Sequence, residues 1–161
     1  MMGAGKSTIG NLLAEVTGRT FVDTDKLIEN RLGRSISQFF TLYGEEAFRD
    51  HETSVIKSLK SEPMVVATGG GAILRNENFD HLRSIGKVIY LKSEPKELIE
   101  RLQTSKRKRP LLSSEDWESK LVSILEGRKE KYESADFTIQ VDELEQDDIV
   151  QKIIQEMESI S

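Results

Sequence analysis

The chain has 161 residues, 37% of them apolar and 32% charged, a composition suited to one soluble domain with a real core. It has no cysteine, which excludes disulfides and thiolate metal sites. Its net charge of −5 speaks against a nucleic-acid partner, and no apolar run approaches a membrane span or a signal-peptide core. A cytoplasmic monomer is the expectation.

The chain opens with Gly3-Ala4-Gly5-Lys6-Ser7-Thr8. These residues form the second half of a G-x-x-x-x-G-K-[ST] phosphate loop. Glycines let backbone N–H groups crowd around phosphate oxygens, Lys6 supplies a point charge and Ser7 a hydroxyl for Mg²⁺. A helix from Ser7 to Val16, apolar at Ile9, Leu12, Leu13 and Val16, would aim its positive end at the same anions. The loop's first glycine falls before Met1, and so does any strand feeding the loop. In a doubly wound sheet that strand is normally central. The expectation is therefore a late start and a gap in the sheet.

Thr20-Phe21-Val22 reads as a short strand ending at Asp23-Thr24-Asp25. Carboxylates at i and i+2 can divide the work: Asp23 near Mg²⁺, Asp25 accepting a hydrogen bond from an attacking hydroxyl. Ser35 can cap a helix carrying Ile36, Phe39, Phe40 and Leu42 that stops near Gly44. A second helix follows from Glu45 to Leu59, with Arg49 on it. Met64 to Ala67 is the next strand, ending in Thr68 and Gly69-Gly70-Gly71. Three glycines at a strand's carboxyl end suit close backbone approach to a ligand.

Val88 to Leu91 is a third strand, and Pro95 suits the first turn of the helix after it. The basic run Lys106 to Arg109, followed by Pro110-Leu111-Leu112, reads as a lid loop whose Arg109 can reach a transferring phosphoryl group. Ser113 and Asp116 stand at capping-box spacing before a helix that carries Arg128 and Tyr132. Arg49 and Arg128 together can clamp a carboxylate. Phe137 to Val141 is the fourth strand, and Ile149, Ile153 and Ile154 mark a last helix. His51 and His81 have no metal or triad spacing and read as packing residues, as does Trp117. Strands alternating with helices predict an α/β fold: a parallel sheet between helical layers, in a three-layer αβα arrangement.

In combination the chain resembles shikimate kinase over nearly its whole length. The resemblance rests on GAGKST, Phe21-Val22-Asp23-Thr24-Asp25, Gly44-Glu45 with Phe48-Arg49, Gly69-Gly70-Gly71-Ala72, Arg109-Pro110-Leu111-Leu112, and Arg128 with Tyr132 and Ala135-Asp136. Only the phosphate loop among these is generic. The resemblance implies a single domain over 1–161, with a substrate-binding region near 25–60 and a lid near 104–116. It implies phosphorylation of the 3-hydroxyl of shikimate by ATP with Mg²⁺, on the route to aromatic amino acids. Gly3, Ala4, Gly5, Lys6, Ser7, Thr8 and Arg109 would hold ATP, with Ser7 and Asp23 toward the metal. Asp25, Arg49, Gly69, Gly70, Gly71 and Arg128 would hold shikimate, and Lys6, Asp25 and Arg109 would be catalytic. The chain departs from the family in the loop from Asp142 to Asp148, which supplies no arginine for adenine, and Arg101 matches a second adenine arginine only loosely. The rival readings are a gluconate kinase-like enzyme on the same scaffold and a non-catalytic nucleotide-binding relative.

Overall fold

A computed structural model describes residues 3–104, 112 and 115–159. The four expected strands form as β1 (Thr20–Asp23), β2 (Met64–Ala67), β3 (Ile89–Lys92) and β4 (Phe137–Gln140). β1 pairs in parallel with β2, Thr20 opposite Met64 and Asp23 opposite Ala67. β3 pairs in parallel with β4, Ile89 opposite Phe137 and Lys92 opposite Gln140. Parallel pairing follows from the long helical crossovers between partners, which leave no room for hairpins.

β2 and β3 do not pair. A cavity of about 390 Å³ separates them, lined by Met64 to Ala67 on one side and by Val88, Ile89 and Leu91 on the other. The expected gap in the sheet is here.

The helices are α1 (Lys6–Thr17), α2 (Thr24–Leu32), α3 (Ile36–Ser58), α4 (Asn76–Ile85), α5 (Pro95–Gln103), α6 (Trp117–Glu133) and α7 (Gln146–Glu158). A 3-10 turn, Ala72–Leu74, follows the glycine triplet. Ser35 caps α3 through a capping box with Gln38. The two helices expected on either side of Gly44 both form, and α3 is the pair joined across a kink at that residue. Gly44 breaks it with φ 80° and ψ 178°, a conformation closed to L side chains. Two helices lie outside the sequence reading, α2 and α4. At α6 the N-cap is Asp116, which makes no side-chain capping bond; Ser113, the other half of the expected capping box, lies outside the described residues.

The main core joins α1, α5, α6 and α7 to β3 and β4, through Leu13, Leu98, Leu121, Ile139, Val150 and Ile153 among others. Ile28, Phe39, Phe48 and Val55 form a separate cluster that binds α2 to α3. His51 packs edge-on against Phe39, and His81 hydrogen-bonds through Nε2 with the Leu59 carbonyl, so both histidines serve packing. Among the described residues no helix is long and apolar enough to cross a membrane.

Asp136 locks the start of β3. Its carboxylate accepts from the Val88 N–H at 2.8 Å and from Arg83 at 2.8 Å. Burial pushes the Asp136 carboxyl up, but the Val88 N–H and the Arg83 charge outweigh it and hold the group below its ordinary value. A depressed carboxylate adds stability above its unfolded pKa of about 3.9 and loses it as pH falls through the folded value. Asp136→Asn should therefore cost about 1–2 kcal/mol near neutral pH. Urea unfolding should show the difference from the parent shrinking below about pH 4.

Candidate active site

α1 begins at a glycine, and that position defines the site. Gly5 precedes the helix in the left-handed region, with φ 80°, and no side chain caps the first turn. This first turn faces a cavity of about 610 Å³. Gly3, Gly5, Lys6, Ser7 and Thr8 line it. Ala4 does not: its methyl is 2% exposed and belongs to the main core, so only its backbone is available to a phosphate. Arg101 and Leu102 of α5 close this end of the cavity.

Asp23 ends β1 and caps α2. Its Oδ1 accepts from the N–H groups of Asp25 at 3.0 Å and Lys26 at 3.2 Å. Its other oxygen accepts from the Ser7 hydroxyl at 2.7 Å. One carboxylate thus joins the first turns of α1 and α2, and it turns Asp25 into the cavity. Thr24, fully buried, donates to the Ala67 carbonyl at 3.4 Å and accepts from the Gly69 N–H at 3.2 Å. That pair of bonds fastens the glycine triplet to the start of α2.

The far wall is a buried ion pair against bare backbone. Arg49 donates to Glu52 at 2.7 Å and to Glu45 at 2.8 Å. Arg49 is 7% exposed and Glu52 1%. A methyl group on Gly71 would lie 2.5 Å from the Arg49 guanidinium nitrogens, and one on Gly69 would lie 2.9 Å from both Asp25 Oδ1 and Glu52 Oε1. A side chain at either place would push these charged side-chain ends out of position, so the constraint there is contact distance, not torsion angle. Tyr132 donates to the Gly70 carbonyl at 2.7 Å and holds the loop from α6. Burial pushes the Tyr132 phenol up and Arg128, one turn before it, draws it back, so the hydroxyl keeps its proton and remains a donor. Arg128 lines the same cavity.

Of the residues expected to hold ATP, metal or shikimate, all but Ala4 and Arg109 line this one cavity; Arg109 lies outside the described residues. Glu52, Thr24 and Tyr132 carry parts that the sequence reading did not give them. Asp142, in the loop that offers no arginine, accepts from Ser93 Oγ and from the Glu94 N–H at 2.7 Å, and sits 3.5 Å from Arg101. It thereby tethers Arg101 at the phosphate-loop end of the cavity.

A phosphate cradle at a helix N-terminus, with a carboxylate and two arginines across one cleft, defines a small P-loop kinase. The comparisons agree. The family model for shikimate kinase matches residues 2–158. Shikimate kinase of Thermodesulfovibrio yellowstonii is 39% identical over 161 residues, covering 99% of this chain and 92% of the relative. That of Synechococcus elongatus is 43% identical, covering 99% and 84%. The solved structure of shikimate kinase from Acinetobacter baumannii, in complex with shikimate, is 40% identical with a TM-score of 0.93, covering 99% of this chain and 90% of that one. The chain belongs to the shikimate kinase family.

The buried pair yields a prediction about stability. Burial pushes the Glu52 carboxyl above its ordinary value; Arg49 draws it down, and Asp25 pushes it up again. Arg49→Met removes the principal counter-charge and keeps the bulk. Leaving one member of a buried pair costs about 3–5 kcal/mol. The penalty attaches to the ionised carboxylate, so it should be full at neutral pH and fade as the solution is acidified toward pH 4 and Glu52 takes up a proton. Denaturant unfolding of parent and variant between pH 4 and 8 measures it. A deficit independent of pH would mean that lost packing, not an orphaned charge, is the cause.

Proposed function

We propose that this chain transfers the γ-phosphoryl group of ATP to the 3-hydroxyl of shikimate, giving shikimate 3-phosphate. The observation that carries this reading is the division of one cavity into a phosphate cradle and, across it, a carboxylate beside two arginines. The α1 N-terminus, the loop N–H groups and Lys6 would receive the β- and γ-phosphates. Arg49 and Arg128 would receive the acid's carboxylate, because a guanidinium fork matches that group in two directions. Asp25 would accept the proton of the attacking hydroxyl, with the Gly69 to Gly71 backbone setting how closely the ring approaches.

The Ser7 hydroxyl and Asp23 carboxylate, 2.7 Å apart, form a hard-oxygen pair that fits Mg²⁺. No cluster of three or more acidic, histidine or cysteine side chains among the described residues could hold a metal alone. That suits an ion that keeps waters and phosphate oxygens in its shell. When bound, Mg²⁺ would neutralise charge that develops on the phosphate oxygens, with Ser7 and Asp23 holding it. Asp23 would orient the Ser7 hydroxyl toward it. Arg109, on the strength of the family pattern, would add positive charge from the lid at the transferring group.

Steady-state kinetics on purified protein test the assignment. ADP release should require shikimate; a preference of tenfold or more, about 1.4 kcal/mol, for gluconate or a nucleoside monophosphate would reject it. Asp25→Asn keeps size and removes the proton acceptor, so kcat should fall by about 10²–10⁴-fold. Arg128→Ala should mainly raise the KM for shikimate, by about tenfold or more, and leave the KM for ATP unchanged. Arg109→Ala should lower kcat more than it weakens shikimate binding.

A further inference from the structure

The backbone of the glycine loop can be followed bond by bond. The Gly69 N–H donates to Thr24 Oγ1 at 3.2 Å. The Gly69 carbonyl accepts from the Ala72 N–H at 3.1 Å, and the Gly71 carbonyl from the Leu74 N–H at 3.0 Å. Those last two bonds close the loop on itself. The Gly70 carbonyl differs: it accepts at 2.7 Å from the Tyr132 hydroxyl, 62 residues away on α6. The N–H groups of Gly70 and Gly71 meet no acceptor among the described residues, and both residues line the active-site cavity.

Glycine sets few limits on its own torsions, so the peptide between Gly70 and Gly71 needs an outside bond to choose its orientation. Tyr132 is well placed to supply it. Its side chain is buried, and the ring stacks on Tyr90 with 5.2 Å between centroids and 15° between planes. A stacked, buried ring has little freedom to swing. The charges of Arg128 and Arg49 both act on the phenol. A guanidinium only donates, so the phenol proton goes to the Gly70 carbonyl. In a trans peptide the C=O and the N–H point opposite ways. Turning the Gly70 carbonyl to Tyr132 therefore turns the Gly71 N–H away from it, and Gly71 lies against the Arg49 guanidinium. In the flipped peptide a carbonyl oxygen would take the place of that N–H. It would repel the oxygens of an acid that the arginines attract.

We propose that Tyr132 is a positioning residue for the acid substrate: through the Gly70 carbonyl its hydroxyl holds the Gly70–Gly71 peptide in the orientation that offers the Gly71 N–H to the substrate's oxygens. It acts through the loop and touches no substrate atom. The assignment rests on the shikimate reading above, in which the glycine loop, Arg49 and Arg128 receive the acid.

Tyr132→Phe removes the hydroxyl and keeps the ring and its stack. In steady-state kinetics the KM for shikimate should rise by about fivefold or more, while kcat and the KM for ATP change by less than about twofold. Tyr90→Phe removes the other phenol of the same stack and should leave the KM for shikimate unchanged. Magnetic resonance of the full chain, with isotope-labelled glycine, reads the loop directly. In the parent the Gly71 amide proton should move downfield as shikimate saturates the site. In Tyr132→Phe, also at saturation, that movement should be lost. A variant whose KM for shikimate stays at the parent value would overturn the proposal. So would equal weakening of shikimate and ATP, the mark of a merely structural role, or a Gly71 shift that survives the substitution. A parent chain that neither binds nor phosphorylates shikimate would take down the substrate reading and this assignment together, and that result is seen before any variant is made.

Discussion

Asp23 is the group on which the geometry of the cleft depends. It stands at the end of β1, 8% exposed, and receives three donors: the Ser7 hydroxyl and the N–H groups of Asp25 and Lys26. Two of those N–H groups belong to the first turn of α2, where a carboxylate also meets the favourable end of the helix dipole. The third donor belongs to the first turn of α1. The phosphate loop and Asp25 are thus fixed relative to each other by one side chain at a strand end. A neutral substitute would keep some of these bonds but lose the charge that strengthens all three.

The opposite wall works by removing atoms. Arg49 and Glu52 lie against backbone because Gly69 and Gly71 have no side chains to hold them off. A buried pair in such a place adds little net stability over an apolar pair of the same volume, since both ions have been taken out of water. Its value is positional. Glu52 and Glu45 hold the guanidinium in one orientation, and the Oε1 of Glu52, buried and without a protein partner, lies toward Asp25 and the glycine loop. A polar atom kept in that condition is costly to the fold and open to a ligand's hydroxyl.

Most of this fold was legible because its signals are local. The four strands are short β-branched runs closed by turn residues, and their positions come out within two residues of the expectation. Ser35 and Gly44 are read from backbone chemistry alone. α2 was not, because Asp23-Thr24-Asp25 looks like the end of a strand and Leu27, Ile28 and Leu32 make a thin apolar stripe. α4 starts without a side-chain cap, so nothing announces it. Glu52 is an acidic residue on a helix, which in sequence looks like any solvated face; only its i+3 spacing from Arg49 hints at a pair. Thr24 and Tyr132 act across 45 and 62 residues on the glycine loop, separations that no periodicity reveals. The sequence shows that strands exist and led to the expectation of a gap in the sheet, but it does not show that β2 and β3 are the edges that border it.

The distribution of apolar contacts bears on how such a cleft works. α2 and α3 share their own small cluster, apart from the main core that carries α1 and the phosphate loop. Between the two bodies lie the Asp23 cap, the Thr24 bonds to the glycine loop, and exposed ion pairs such as Arg75 with Asp50. Exposed pairs of that sort add at most about 1 kcal/mol each. A third apolar cluster, Ile56, Leu59, Ala72 and Leu82, packs the far end of α3 against α4 and the strands, so apolar packing anchors that end while polar bonds join the two bodies near the cleft. On the reading proposed above, a substrate that bridges Arg49 and the phosphate loop would add its contacts at the junction between them. Binding energy at that junction goes into orienting the two reacting groups, which is the part of the barrier that a kinase of this kind has most power to lower.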